Sequence, residues 1–211
     1  SAVFREELGR DPDEVFARFD PEPLASASIG QAYAAVLEDG TEVVVKIRRP
    51  GMVEQIEEDL AILRDLAQRA TESSETARRW ELPAIVEEFS ATLRAELDYP
   101  QEARNAERFA ADFAGSPDVI VPRVVWDTTT ARVLTLERMR GIRIDDLGAL
   151  DAAGIDRKRL AVRGADLVLT MVFEHRFFHA DPHAGNMFVH LDGSIALIDF
   201  GMVGRLSDEV T

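Results

Sequence analysis

The chain contains no cysteine, so disulfide bridges and thiolate chemistry are both excluded. Lysine is nearly absent: Lys46 and Lys158 are the only two among 24 basic residues, and the other 22 are arginine. No apolar run reaches the roughly 18 residues that a membrane span requires. No basic stretch leads into an apolar core as a secretory signal would, so a cytoplasmic location is expected. Positive charge is short overall, with 24 Lys and Arg against 39 Asp and Glu, for a net charge of −15. Such a surface repels phosphate backbones, which argues against a nucleic-acid partner. It also repels anionic lipid headgroups unless a local basic patch intervenes. Acidity with so little lysine fits a salt-adapted or a GC-rich source equally.

What is present reads as a globular protein. With 211 residues, 46% hydrophobic and 30% charged, the chain can hold one sizeable core or two small lobes sharing a cleft. Ser1 reads as a cloning remnant. "DPDEVFARF" predicts a helix with Asp11 as N-cap and Pro12 in the first turn, and Pro21 and Pro23 then force an extended run. "QAYAAVLEDGTEVVVKIRR" predicts a β-hairpin turning at Asp39-Gly40. Residues 52–70 place Val53, Ile56, Leu60, Leu63, Ala67 and Ala70 on one helical face, followed by a polar linker, "TESSETARR". A second helical pattern runs through Ile85, Val86, Phe89, Leu93 and Leu97 to Pro100. Ala103, Ala106, Phe109, Ala110 and Phe113 continue it as a new or kinked helix. "VIVPRVVWD" and "ARVLTLERM" read as strands, residues 157–176 as a helix, and "MFVH" and "SIALID" as two strands around Asp192-Gly193. There are no internal repeats.

The chemistry concentrates in "FFHADPHAGNMFVHLDGSIALIDFG", residues 177–201. One reading is a metal cage of His179, Asp181 and His183. Pro182 and the Gly185-Asn186 turn break any strand that would align those three, and with no cysteine a fourth zinc ligand must come from His175, His190 or a carboxylate. Phosphoryl transfer accounts for more of the residues. In such sites an aspartate orients the nucleophile, an asparagine five positions on binds one magnesium ion, and an Asp-Phe-Gly aspartate binds another. Here Asp181 and Asn186 are five apart, and Asp199-Phe200-Gly201 begins thirteen residues after Asn186, across one predicted hairpin. Asparagine and aspartate oxygens suit a hard cation. Lys46, ending "EVVVK" in a chain that uses arginine almost everywhere else, has the compact ammonium that a nucleotide phosphate requires. Its carboxylate partner is expected on the helical stretch around 84–113. The turn before it, "PLASASIGQAY", lacks the Gly-x-Gly-x-x-Gly pattern: Gly30 alone remains, with Ala25 and Ala27 at the small positions.

"LASASIGQAY", "VVVKIRRPG", "ELDYPQEARN" and "FHADPHAGN…LIDFG", in that order, resemble the UbiB-like atypical kinases of ubiquinone and other isoprenoid-lipid metabolism. The resemblance covers nearly the whole chain. It implies an α+β, two-lobed protein-kinase-like fold that binds ATP or ADP with Mg2+. Residues 1–138 would be an N-lobe of antiparallel sheet with inserted helices. Residues 139–211 would be a partial C-lobe whose later helices are missing. By motif, Leu24, Ala25, Ser26, Ala27, Ser28, Ile29 and Gly30 would form the nucleotide loop, Lys46 the phosphate lysine and Glu102 its helix partner. Glu96 and Asp98 would form the Glu-x-Asp motif near a substrate's place. Asp181 would be the catalytic-loop aspartate, Asn186 and Asp199 the metal ligands, and backbone near Glu137 and Met139 the adenine hinge.

The family's upstream Lys-x-Gly-Gln segment is absent, so the chain is expected to be the core of a longer protein, with any membrane association residing in the missing parts. The expected activity is that of an ATP-dependent kinase or ATPase supporting isoprenoid-lipid biosynthesis. Its expected partners are a lipid or quinone precursor and proteins of the biosynthetic complex. The rivals are a phosphotransferase of the aminoglycoside or choline-kinase type and a nucleotide-sensing scaffold without turnover.

Overall fold

The computed structural model describes residues 2–206; Ser1 lies outside the described residues. Two short helices, α1 (Ala2–Leu8) and α2 (Pro12–Val15), lead into strands β1 (Arg18–Ser26), β2 (Gly30–Val36) and β3 (Glu42–Arg48). The helix expected from "DPDEVFARF" stops at Val15. Its Asp11 N–H is capped by the Glu14 carboxylate, but the chain is already extended at Phe16. The β1–β2 register slips twice around Pro23, as expected where prolines supply no ladder N–H. The β2–β3 hairpin closes at Gly40 with φ 85°, a conformation that glycine adopts at little cost.

Alternation along β3 decides the architecture. Val43, Val45 and Ile47 are buried against Val3, Phe4 and Phe16, so Lys46 must lie on the opposite face. Strand β5 (Val133–Glu137) completes the antiparallel sheet in the order β1-β2-β3-β5.

Between β3 and β5 come four helices, α3 (Met52–Ser73), α4 (Glu75–Arg79), α5 (Leu82–Leu97) and α6 (Tyr99–Asp112), then the short strand β4 (Val119–Ile120). Two expectations need correction here. "TESSETARR" is not a linker: Ser74 caps α4, and helix runs on both sides of it. "VIVPRVVWD" is a strand only at β4. Pro122 follows, and the rest is a single bridge from Val124 to Leu136 and a 3-10 turn at Trp126–Thr128. On α3 only Ile56, Leu60 and Ala67 of the expected stripe are buried. On α5, Ile85 and Phe89 are exposed, as are Ile62, Leu66 and Trp80 nearby. Helices α3 and α5 pack mainly on each other, so the apolar face each turns outward has no cover among the described residues.

Strand β6 (Ile142–Arg143), helices α7 (Leu147–Ala152) and α8 (Arg157–Leu169), and strands β7 (Phe177–His179), β8 (Met187–Val189), β9 (Ile195–Leu197) and β10 (Val203–Arg205) follow. The α-helix expected to reach residue 176 ends at Leu169, and Thr170–Glu174 widen into a π turn before β7. A second sheet has the order β4-β9-β8-β6, and β7 pairs with β10. The largest core runs from Ala103, Ala106 and Phe109 of α6 to Phe177, Ile195 and Phe200, tying the two sheets together. Among the described residues no helix is long and apolar enough to cross a membrane.

Candidate active site

The cleft lies between the first sheet, α6 and the loops after β7 and β9. It has a volume of about 340 Å³, within the range of small-molecule sites. Helix α6 starts at Tyr99-Pro100, with the Asp98 carboxylate capping the Gln101 N–H at 2.9 Å. Helical spacing then sets Tyr99, Glu102, Ala106 and Phe109 on one buried face. This turns Glu102 toward β3, where its Oε1 meets Lys46 Nζ at 2.5 Å. The same ammonium reaches Asp199 Oδ2 at 3.1 Å. Burial opposes a charge on Lys46, but Glu102 and Asp199 outweigh it and hold the ammonium above its ordinary pKa. Asp199 is opposed by burial too, yet Lys46 and the Gly201 N–H keep its carboxyl below the usual range.

Two backbone clamps bring the distant loops together. β7 and β10 pair His179 with Val203, and the Ala180 N–H donates to the Met202 carbonyl at 3.0 Å. The β8–β9 hairpin is closed at its open end by the Ile198 N–H donating to the Asn186 carbonyl at 3.1 Å. Asp181, His183, Asn186 and Asp199 thereby share one wall with Glu96. Burial, then the neighbouring Asp199 and Asp181 charges, push the Glu96 carboxyl up.

The oxygen donors on that wall suit a hard cation. Asn186 Nδ2 lies 3.4 Å from the Asp181 carbonyl, which turns that nitrogen to the backbone and leaves the amide oxygen free. Each Asp199 oxygen accepts one hydrogen bond and retains further capacity. Two protein donors complemented by phosphate and water match how magnesium is commonly held. Among the described residues no three His, Asp or Glu side chains gather as a metal-holding group. The Nδ1 atoms of His179 and His183 both accept backbone N–H groups, from Asp181 at 3.1 Å and Gly185 at 2.9 Å. The imidazoles are therefore engaged in shaping their own loop.

The structure brings together Ala25, Ala27, Ser28, Ile29, Gly30, Lys46, Glu96, Glu102, Asp181, Asn186 and Asp199 around this cleft. Leu24, Ser26, Asp98, Glu137 and Met139 are not part of its wall. Leu24 and Ser26 are exposed on β1 on either side of Ala25, which is exposed too but lines the cleft. Asp98 serves as the cap of α6, beside Arg94 rather than in the cleft. The Glu137 N–H already donates to the Arg123 carbonyl at 2.8 Å, which removes it as a donor to a bound base.

Two residues of evident consequence escaped the sequence reading. Asn105, buried on α6, accepts from Gln101 and donates to the Phe200 carbonyl at 2.9 Å, pinning the Asp-Phe-Gly turn. An asparagine three residues after Glu102, on the same helix face as apolar Ala106 and Phe109, was the available signal. Tyr99 is the other: it lines the cleft beside Lys46.

The chain matches the ABC1 atypical kinase-like domain over residues 1–211. It is 45% identical over 212 residues to a probable protein kinase UbiB of Azotobacter vinelandii, covering 99% of this chain and 40% of that protein. It is 45% identical over 208 residues to the protein of the same name from Xylella fastidiosa, covering 96% and 38%. A solved structure from Mycobacterium tuberculosis, Rv3197 in complex with erythromycin, superposes with a TM-score of 0.79 at 30% identity. It covers 97% of this chain and 51% of that one. The chain thus spans about 40% of the length of these curated relatives, and its fold is α+β and protein-kinase-like.

Proposed function

The chain belongs to the ABC1 atypical kinase-like family, and from that premise we propose that its cleft binds ATP or ADP with magnesium and transfers or hydrolyses the terminal phosphoryl group. In the whole protein this activity supports ubiquinone or other isoprenoid-lipid biosynthesis. The observation that carries the reading is the Lys46 ammonium held between Glu102 of α6 and Asp199 of the Asp-Phe-Gly turn. One cation facing two carboxylates is fixed in place and stays charged, ready for a nucleotide phosphate.

In this reading the remaining groups have distinct tasks. Magnesium, when bound, would neutralise phosphate charge, and Asn186 and Asp199 are the residues that would hold it. The Asp181 side chain is 45% exposed, so its carboxylate is open to orient a nucleophile and accept its proton. The turn from Ala25 to Gly30 would cover the phosphates with backbone N–H groups other than that of Ala27, which donates to the Gly30 carbonyl. The adenine contact would use backbone groups near Glu137 and Met139 other than the Glu137 N–H, which is taken. Glu96 stands at the acceptor's side of the cleft and Asp98 orders α6 behind it. The division into an N-lobe to residue 138 and a C-lobe beyond belongs to the same proposal. So do the isoprenoid or quinone-precursor ligand, the biosynthetic-complex proteins, and membrane contact through other parts of the full-length protein.

A second reading, small-molecule phosphotransferase, draws on the erythromycin complex of the Mycobacterium protein. Single-turnover ATP hydrolysis by the full-length protein tests the first. Free phosphate released by the wild type and lost in Asp181→Asn supports it. A phosphorylated small molecule as the sole product favours the second, and nucleotide binding without turnover makes the protein a sensor.

A further inference from the structure

Tyr99 is 6% exposed, and that small exposed part faces the cleft beside Lys46, Glu102 and Gly30. Its ring is embedded in the same core as Ala103 and Phe109. The phenol oxygen is different. Among the described residues no group hydrogen-bonds it, and it is not one of the atoms sealed from solvent. With no protein partner among the described residues, this hydroxyl meets only the water of the cleft and is open to a ligand there.

The backbone above it is shaped to this oxygen. A Cβ on Gly30 would stand 2.7 Å from the Tyr99 hydroxyl and 2.9 Å from the Ile47 carbonyl, so only glycine lets the chain come this close. Gly30 also closes the alanine-rich turn, its carbonyl accepting from the Ala27 N–H at 2.9 Å. The phenol therefore lies directly beneath the end of the turn, next to the ammonium of Lys46. Burial, reinforced by Glu102 and Asp199 against Lys46 and Arg48, pushes the phenol up to about 12, so at neutral pH it retains the proton to donate. Among the described residues the phenol donates to neither Glu102 nor Asp199, whose oxygens accept from Lys46 and from the Phe200 and Gly201 N–H groups.

We infer that Tyr99 is a ligand-binding residue, its hydroxyl donating a hydrogen bond to a phosphate oxygen at the inner end of the cleft, beneath Gly30. This rests on the nucleotide reading above and adds a contact to it. The ring fixes the position of the hydroxyl from the core side, so the donor is placed before the ligand arrives.

The test is calorimetric titration of the wild type and Tyr99→Phe with ATP and, separately, with adenosine, both with magnesium present, alongside thermal unfolding without ligand. The expected result is about a tenfold loss of ATP affinity in Tyr99→Phe, equivalent to about 1.4 kcal/mol. Adenosine affinity and the ligand-free melting temperature should be undiminished. Equal ATP affinity in the two proteins would overturn the inference and leave the nucleotide reading standing. Parallel losses for ATP and adenosine would also overturn it, by showing that the hydroxyl only packs the turn. Failure of the wild type to bind ATP at all would overturn the nucleotide reading, and this contact with it.

Discussion

Lys46 and Glu102, 56 residues apart in the sequence, meet at 2.5 Å inside the cleft. The strand and the helix that carry them are otherwise independent elements, so the contact reports how the sheet and α6 are docked. If it also positions Lys46 for a nucleotide, the two side chains must act jointly. A double-mutant cycle with Lys46→Ala and Glu102→Ala should give a coupling above about 0.5 kcal/mol in nucleotide-binding free energy. Simple additivity would show that the ion pair holds the fold without serving the site.

Asp199 pairs with Lys46 and shares the cleft wall with Asn186, where the proposed magnesium would sit. Asp199→Asn should weaken binding of magnesium-ATP far more than binding of ATP in the presence of a chelator, because a neutral amide is a poor counter-charge to a divalent ion. Titrations with and without magnesium compare the two. Equal losses would remove Asp199 from the metal's surroundings.

Glu96 provides a prediction with a definite pH sign. Burial and the nearby Asp199 and Asp181 charges raise its pKa in the folded protein, so its ionisation disfavours folding. That penalty is full above the raised folded value and absent below the unfolded value of about 4.3. In metal-free protein, Glu96→Gln should therefore raise the melting temperature at neutral pH. The gain should vanish as the pH is lowered toward 4. A lower melting temperature at neutral pH would mean the carboxylate is held by favourable contacts instead.

Ala27 is exposed and lines the cleft, with its N–H closing the turn onto Gly30. It is not the small buried residue that would matter only for packing. Ala27→Gly should widen the turn's accessible conformations and shift the relative affinities for ATP and ADP, with little change in melting temperature. Phosphorylation of the protein by itself, absent in the wild type, would accord with the same loosening. Unchanged affinities for both nucleotides would mean that the turn does not govern the site.

The parts of the site legible in the sequence were those whose geometry is local. Asp39-Gly40 sets a hairpin, strict alternation of valines sets the face of Lys46, and the spacing from Asp181 to Asn186 to Asp199 follows one short hairpin. The meeting of Lys46 with Glu102 was reached only through a motif, because helical periodicity alone cannot say which carboxylate faces a distant strand. Periodicity located α5 but could not say how much of it is covered: Ile85 and Phe89 recur at helical spacing, yet they are exposed, since an apolar stripe is buried only if another element covers it. Asp98 caps α6 and lies outside the cleft wall, a placement its motif alone does not show. Tyr99 and Asn105 were passed over because neither titrates near neutrality, and their importance lies in what surrounds them in space.

The central claim is that the cleft around Lys46, Glu102 and Asp199 is a magnesium-nucleotide site, and direct titration of the chain with ATP tests it most simply. The account predicts one equivalent of ATP bound in the presence of magnesium, strongly weakened by chelation and by Lys46→Ala. Absence of ATP binding with magnesium present, or affinity indifferent to both magnesium and Lys46→Ala, would contradict it.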